Sequence, residues 1–185
     1  MSDLRAMSKK AVDEIEGVLD ALDPKTTDTL SSEMLNARRI ACFGAGREGL
    51  MMKALCMRLM HLGFDAHFVG DVTTPPIGAG DLLIASSGTA IMATVQALLS
   101  VAKRDGARTL MITAQPKNDM AKYADVVIYL PVYLSANNGA FTDALPAGSL
   151  FEIVELLLFD LVALILRDKT HQTSDDMRQR QTNLE

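Results

Sequence analysis

Several residue types are scarce in this chain, and each scarcity excludes a class of site. The 185 residues include no tryptophan, two cysteines and three histidines. Cys42 and Cys56 stand in apolar stretches, so we expect two small core residues and no disulfide framework. His61, His67 and His171 have no cysteine or histidine at ligand spacing. The sequence therefore predicts no dedicated metal site.

Basic residues are neither in excess nor clustered. Lys and Arg number 18 against 23 Asp and Glu, which gives a net charge of −5. Without a basic run or a tryptophan, we expect no nucleic-acid partner, although a small anionic ligand stays compatible with this balance. The first ten residues lack the apolar centre of a signal peptide, so a cytoplasmic location is the expectation.

The most apolar stretch covers residues 149–168. It carries Glu152, Glu155 and Asp160, which are costly at bilayer depth, so we expect no membrane partner. We interpret the stretch as a helix buried in a domain core or at a subunit interface. Because it is apolar on nearly all faces, we expect it and the N-terminal helices to bury surface in a homodimer or homotetramer.

Helical and apolar patterns alternate along the chain. Two helices are predicted within residues 3–37, the second beginning at Pro24 with Asp23 as N-cap. Five short apolar strands follow, at residues 39–43, 65–70, 81–86, 107–113 and 125–131. Helices are predicted at residues 48–62, 91–104 and 117–123 and from residue 149.

This order of elements predicts an α/β fold, with a parallel sheet covered by helices on both faces. We expect one domain over residues 1–185: N-terminal helices at 3–37, a sheet core at 38–167 and a polar tail at 168–185. The tail is as consistent with a loose terminus as with an ordered segment.

Ligands of such sheets bind beyond the C-terminal ends of the strands, where the loops at residues 44–49, 71–80 and 86–92 qualify. Two of them, 44–49 and 86–92, stand out. The first, residues 44–49, reads Gly-Ala-Gly-Arg-Glu-Gly and has the Gly-x-Gly-x-x-Gly spacing of dinucleotide sites. Asp71 follows where a ribose-binding acid would stand. Two helices precede the loop, however, and no second domain remains for a substrate. We therefore favour a tight turn without a ligand over a dinucleotide site.

The second loop places hydroxyls between a strand and a helix. Ser86, Ser87, Gly88 and Thr89 combine short donors with the positive end of a helix dipole, which suits a phosphate. An ordinary helix N-cap at Ser87 or Thr89 is the alternative. Together with the first glycine-rich turn, the cluster favours a phosphate ester.

These loops belong to a wider set of motifs, and with them the chain resembles the sugar isomerase (SIS) domain, most of all the 6-phospho-3-hexuloisomerases. The resemblance covers nearly the whole chain. It rests on GAGREGL, MRLMHLGF, VGDVTTPPIGAGDLLIASSGT, KRDGAR, ADVVIYLP, AGSLFE and the terminal NLE. It implies a five-stranded parallel αβα sandwich, flavodoxin-like. It further implies interconversion of 3-hexulose 6-phosphate and fructose 6-phosphate, oligomers that are typically tetramers, and no organic cofactor.

The chain departs from the family pattern at three places. Glu48 stands where the family has a phosphate-binding serine. Ala90, Ile91 and Met92 replace the end of a Ser-Gly-Ser-Gly loop, and Gln181 replaces a histidine after Arg180. A SIS fold that binds a phosphorylated sugar without turning it over is therefore the second hypothesis.

The resemblance and the chemistry together select candidate residues. Isomerisation through an enediolate needs a base, a donor for the developing oxyanion and an anchor for phosphate. Glu152, which interrupts the apolar helix, is the candidate base. The alternative interpretation is a solvated or salt-bridged acid in the first helical turn. His61 is the candidate acid or proton shuttle. The alternative interpretation is a packed histidine at a helix end. The candidate phosphate and substrate ligands are Gly46, Arg47, Glu48, Ser87, Gly88 and Thr89.

Glu48 allows three arrangements, because its charge would repel a phosphate. It could pair with Arg47, accept hydrogen bonds from the amides that phosphate would use, or bind a sugar hydroxyl while Ser87 and Thr89 hold the phosphate. We favour the third. Arg58, eleven residues after Arg47, is expected on the same side of the helix as a support for the site.

Overall fold

The computed structural model describes residues 3–88, 92–132, 144–146 and 148–184. Six helices lie in this part of the chain: α1 Leu4–Asp20, α2 Thr26–Asn36, α3 Gly46–His61, α4 Ala93–Arg104, α5 Ser149–Lys169 and α6 Ser174–Gln179. Five strands alternate with them: β1 Ile40–Phe43, β2 Ala66–Phe68, β3 Leu82–Ser86, β4 Arg108–Thr113 and β5 Val126–Tyr129. A 3-10 turn, Ala121–Tyr123, precedes β5.

The strands form one parallel sheet in the order β2-β1-β3-β4-β5. This is the flavodoxin-like doubly wound order, in which the strand sequence reverses between β1 and β3. Ile40 of β1 lies opposite both Ala66 of β2 and Leu82 of β3, so these strands start level with one another. Their C-terminal ends therefore meet at one edge, beside the reversal point.

Side chains alternate between the two faces of the sheet and build two buried clusters. Ile40 and Ile84 belong to the larger cluster, with residues of α1, α2, α3 and α5. Ala41 and Ala85, one position further on, belong to the smaller cluster beneath α4. Because successive strand residues point to opposite faces, helices cover both sides of the sheet. The structure thus confirms the predicted three-layer αβα sandwich.

The second helix begins later than predicted. α2 starts at Thr26, with Lys25 at the N-cap position and no side-chain cap. Asp23 instead closes the turn before the helix: its carboxylate accepts from the Lys25 amide at 2.8 Å and its carbonyl from the Thr26 amide at 2.8 Å. The prediction of Asp23 as N-cap is therefore wrong by two residues.

The polar tail is ordered over α6, so the loose-terminus interpretation fails there. Thr173 and Asp176 form a reciprocal capping box at its start. Arg180 donates to the carbonyl of His61 at 2.9 Å and lies against Gly63, at the far end of α3. Met177 packs on the larger buried cluster, which ties the tail to the rest of the fold.

The two cysteines are free thiols; Cys42 is a core residue, as predicted, whereas Cys56 is half-buried against the larger cluster. Across the described ranges, none of the helices has the length and apolar character needed to cross a bilayer.

Candidate active site

The turn from β1 into α3 depends on glycine at close approaches. A Cβ on Gly49 would lie 2.5 Å from the carbonyl oxygen of Gly44, and a Cβ on Gly44 would lie 3.0 Å from the amide nitrogen of Gly49. Gly46 opens α3 with a φ of +58°, a left-handed conformation that favours glycine. The Gly-x-Gly-x-x-Gly spacing is therefore explained by backbone packing, with no dinucleotide required.

Glu48 projects from this turn to the end of β3. Both oxygens of its carboxylate lie 3.1 Å from the Gly88 amide, which donates to them. The Ser86 hydroxyl donates to Oε2 at 3.2 Å. Burial raises the pKa of Glu48, and the negative charge of Glu152 adds to this, while the bonds from Gly88 and Ser86 act in the opposite direction.

Gly88 is shaped to receive this carboxylate. A Cβ at position 88 would meet the ring of Phe151 at 2.8 Å and Oε1 of Glu48 at 3.0 Å. Any other residue would displace one of the two. The bare backbone of Gly88 thus lets Glu48 reach its amide.

Glu152 stands in the first turn of α5, next to the same strand ends. It is 8% exposed, and its Oε2 lies 2.8 Å from Nε of Arg47. The Nη1 group of Arg47 donates a hydrogen bond to the Ser149 hydroxyl at 3.3 Å. Gly148, with a φ of +83°, precedes the helix and leads the chain into it. The first residues of α3 and α5 are therefore joined by one partly buried ion pair.

Glu155 is a third acid at this position, one helical turn beyond Glu152. It is fully buried, and neither of its carboxyl oxygens has a hydrogen-bond partner among the described residues. Burial raises its pKa well above the ordinary value, and the charges of Glu48 and Glu152 raise it further; the Ser86 hydroxyl acts in the opposite direction. We call Glu48, Glu152 and Glu155 the acid cluster.

Of the candidate residues, the structure brings Gly46, Arg47, Glu48, Gly88 and Glu152 together. Ser87 lies in the same loop but is buried, and its amide donates to the Ile112 carbonyl at 3.0 Å. Thr89 lies outside the described residues, as do Ala90 and Ile91. α4 begins at Ala93, two residues later than predicted.

His61 is not brought to the cluster within one chain. It ends α3, whose sixteen residues place it about 22 Å from Gly46. Its side chain is buried, and its carbonyl accepts from Arg180. This geometry favours the packed helix-end histidine over the catalytic interpretation.

Arg58 lies on the predicted side of α3 but does not touch the site. Its Nε lies 3.3 Å from Oδ1 of Asp160, an exposed pair further along α5. Within the described ranges, no group of three or more His, Cys, Asp or Glu side chains is placed to hold a metal ion.

The position of Glu48 excludes one of the three predicted arrangements and shows another. The pairing with Arg47 does not occur, because Arg47 pairs with Glu152. Glu48 takes the arrangement in which a carboxylate accepts from the loop amides, although the amide belongs to the second loop, at Gly88. A contact between Glu48 and a sugar hydroxyl stays a prediction.

A family model described as the SIS domain matches residues 33–152. This range holds all five strands, the turn at Glu48 and the start of α5 with Glu152. The chain belongs to the SIS domain family. The resemblance inferred from the sequence motifs is confirmed, and the dinucleotide alternative is not favoured.

Two curated relatives share the same printed name, 3-hexulose-6-phosphate isomerase. The one from Mycobacterium gastri is 35% identical over 173 residues, covering 94% of this chain and 87% of the relative. The one from Bacillus subtilis strain 168 is 38% identical over 159 residues, covering 85% and 86%.

A solved structure has the same fold over nearly its whole length. It is a hypothetical protein from Methanococcus jannaschii, whose structure was described as inferring a molecular function of 3-hexulose-6-phosphate isomerase. It is 29% identical to this chain, superposes with a TM-score of 0.81 and covers 98% of both chains.

Sequence reasoning did not place Glu155 beside Glu48 and Glu152. Its charge was weighed only against membrane insertion of the apolar helix. The signal that could have found it is the spacing from Glu152, since residues i and i+3 share a helix face. An acid on the same face as a candidate base, in an otherwise apolar helix, is expected to lie beside that base.

Proposed function

We propose that this protein is a sugar-phosphate isomerase that interconverts 3-hexulose 6-phosphate and fructose 6-phosphate through an enediolate. The two curated relatives named 3-hexulose-6-phosphate isomerase match most of this chain over most of their own length. Family membership supports the same reaction class. No organic cofactor enters the proposal, because both half-reactions are proton transfers.

The observation that carries the proposal is the position of Glu152. The acid stands in the first turn of α5 beside the ends of β1 and β3, buried, with Arg47 at 2.8 Å as the ion-pair partner of its carboxylate. A carboxylate fixed in this way can take a proton from the carbon next to a carbonyl and return it to the neighbouring carbon. Arg47 is 59% exposed, so its outer face remains accessible to an anionic substrate.

The phosphate anchor is assigned to the loop at Ser87, Gly88 and Thr89, with Arg47 as a nearby cation. Glu48 occupies the Gly88 amide, so a phosphate oxygen at that amide has to displace the carboxylate or meet it protonated. Phosphate held by the hydroxyls, with Glu48 against a sugar oxygen, avoids this conflict. We keep that arrangement as the proposal.

Hydrogen exchange tests the reaction most directly. Purified protein is incubated with fructose 6-phosphate in D2O, and deuterium at carbon 3 is followed by NMR. We expect exchange with wild-type protein and its loss in Glu152→Gln. An exposed acid on α1, changed in Glu16→Gln, is the matched control and keeps wild-type exchange.

A phosphosugar-binding module without turnover is the second candidate, and the hydrogen bonds between Glu48 and the second loop favour it. The two candidates differ in one result. A sensor raises its melting temperature with fructose 6-phosphate but shows no exchange at carbon 3, whereas the isomerase shows both. The free sugar is the control ligand in the melting experiment.

We also propose a cytoplasmic homodimer or homotetramer. α5 leaves Leu157, Leu161 and Leu164 at 37%, 41% and 50% exposed, and their spacing places them on one side of the helix. α1 likewise leaves Leu4 and Met7 exposed. Apolar surface of this kind supports association between subunits. A mass measurement by light scattering tests the oligomer.

A further inference from the structure

The acid cluster holds more negative charge than its surroundings balance. Within the described part of the chain, its carboxylates form an ion pair with Arg47 of α3 and hydrogen bonds with Ser86 and Gly88 at the end of β3. Arg47 is the one cation in this group, and it pairs with Glu152. Glu48 has two neutral donors, and Glu155 has no hydrogen-bond partner.

Full ionisation of this cluster would leave two carboxylates without a counter-charge in a buried position. Desolvation and mutual repulsion both oppose that state. Of the three acids, Glu155 is the one that burial most favours in the protonated form, since none of its surface reaches solvent. Coupled carboxyl groups of this kind retain a proton as a group.

Ser86 is placed to connect Glu155 with Glu48. Its hydroxyl hydrogen is directed to Oε2 of Glu48 at 3.2 Å, and its oxygen keeps lone pairs that can accept a proton. The same hydroxyl opposes the rise in the pKa of Glu155, although neither carboxyl oxygen of Glu155 accepts a hydrogen bond in the structure. Glu48 is half-buried whereas Ser86 and Glu155 are fully buried, so Glu48 is the member of these three that solvent reaches.

We propose that Glu155 is a positioning residue that keeps one proton in the acid cluster, and that Glu48 delivers this proton to the carbonyl oxygen of the substrate while Glu152 removes the carbon-bound proton. The inference rests on the proposed isomerisation. It assigns protonation of the substrate carbonyl oxygen to Glu48, the residue at which the sequence departs from the family pattern.

The proton transfers balance in each direction. In the first half, the carbon-bound proton passes to Glu152, and the carbonyl oxygen takes a proton from Glu48, which receives one from Glu155 through the Ser86 hydroxyl. The product of this half is a neutral enediol. In the second half, Glu152 returns its proton to the neighbouring carbon. The other hydroxyl then gives its proton to Glu48, and the relay runs back to Glu155.

The held proton has a direct readout that does not require turnover. The infrared spectrum of the full chain in D2O at neutral pH reports the carbonyl stretch of any carboxyl that stays protonated, because exposed acids are ionised there. We expect this band in the wild type, its loss in Glu155→Gln and its retention in Glu16→Gln. Absence of the band from the wild type would overturn the inference without any variant, as would its persistence in Glu155→Gln.

Kinetics then separates positioning from simple structural support. With fructose 6-phosphate as substrate, the basic limb of the kcat/KM profile should move by about one pH unit or more to lower pH in Glu155→Gln, since Glu48 no longer shares a proton. Ser86→Ala should keep the infrared band but lower kcat by about tenfold or more. The buried serine of α2, changed in Ser31→Ala, is the matched control and keeps wild-type kcat.

A Glu155→Gln enzyme that is active with an unmoved basic limb would overturn the inference. So would a Ser86→Ala enzyme with wild-type kcat. A wild-type protein that shows the infrared band but no hydrogen exchange would refute the proposed isomerisation and the role of Glu48 in it, while leaving the held proton established.

Discussion

Replacement of Glu155 by glutamine should change how the stability of the protein depends on pH. The folded protein holds the pKa of Glu155 well above its ordinary value, because the side chain is fully buried and lies near two other acids. In the unfolded chain the same group titrates at about 4.3. Between these two values the folded state binds a proton that the unfolded state has released.

The sign follows from this difference in bound protons. A raised folded-state pKa gives stability that is complete below the unfolded pKa and is lost as pH rises toward the folded value. Each pH unit inside that window lowers the free energy of unfolding by about 1.4 kcal/mol. From pH 5 to pH 7, the wild type should therefore lose about 3 kcal/mol relative to Glu155→Gln, as long as Glu155 stays neutral in the fold.

Urea unfolding at pH 5, 6 and 7 measures this slope, with protein concentration held constant because an oligomer would otherwise shift the midpoint. A constant offset between the two proteins, from packing or from the buried amide, does not affect the comparison. Glu16→Gln, at an exposed acid, should run parallel to the wild type. Parallel lines for Glu155→Gln as well would mean that Glu155 ionises equally in the folded and unfolded chains, and the reasoning would be wrong.

Four further outcomes are expected. Glu152→Gln should bind fructose 6-phosphate normally in calorimetry but turn it over at least about a hundredfold more slowly; an unchanged rate would remove Glu152 from the chemistry. Glu48→Ser frees the Gly88 amide and removes a like charge, so phosphosugar binding should tighten by about 1 to 3 kcal/mol while kcat falls. If calorimetry instead shows weaker phosphosugar binding by Glu48→Ser, Glu48 is a required contact of the ligand. Gly88→Ala forces a methyl group against Phe151, and urea unfolding should report a loss of about 1 to 3 kcal/mol. Light scattering at micromolar concentration should give the mass of a dimer or tetramer, and a monomer would refute the proposed association.

The sheet was predictable because its signal is local. Buried parallel strands are short apolar runs, and all five were placed from such runs to within about two residues. Helix starts were less accurate. Gly46 begins α3 with a left-handed φ, which the apolar pattern cannot indicate, so the predicted helix began at Glu48. Residues 117–123 form a 3-10 turn only over Ala121–Tyr123.

The sequence predicted which residues belong to the candidate site better than it predicted which of them contact each other. The strand-end rule and the family motifs brought Glu48, Gly88 and Glu152 into consideration. Which donors Glu48 would use was not accessible, because Gly88 lies forty residues away and their distance is set by the packing of β3 against β1. The pairing of Arg47 with Glu152 crosses an even longer separation. Such contacts depend on tertiary structure, and no local pattern encodes them.

The packing of α5 has a consequence for how the chain matures during synthesis. α5 contacts α1, α2 and α3, although the first two were made more than a hundred residues earlier. Until residues near Lys169 leave the ribosome, those early helices lack their main partner, and their apolar sides stay exposed. Closing such long loops is slow, and exposed apolar surface promotes aggregation in the meantime. A nascent chain stopped before α5 should therefore be a strong substrate for chaperones, and release of α5 should end that dependence.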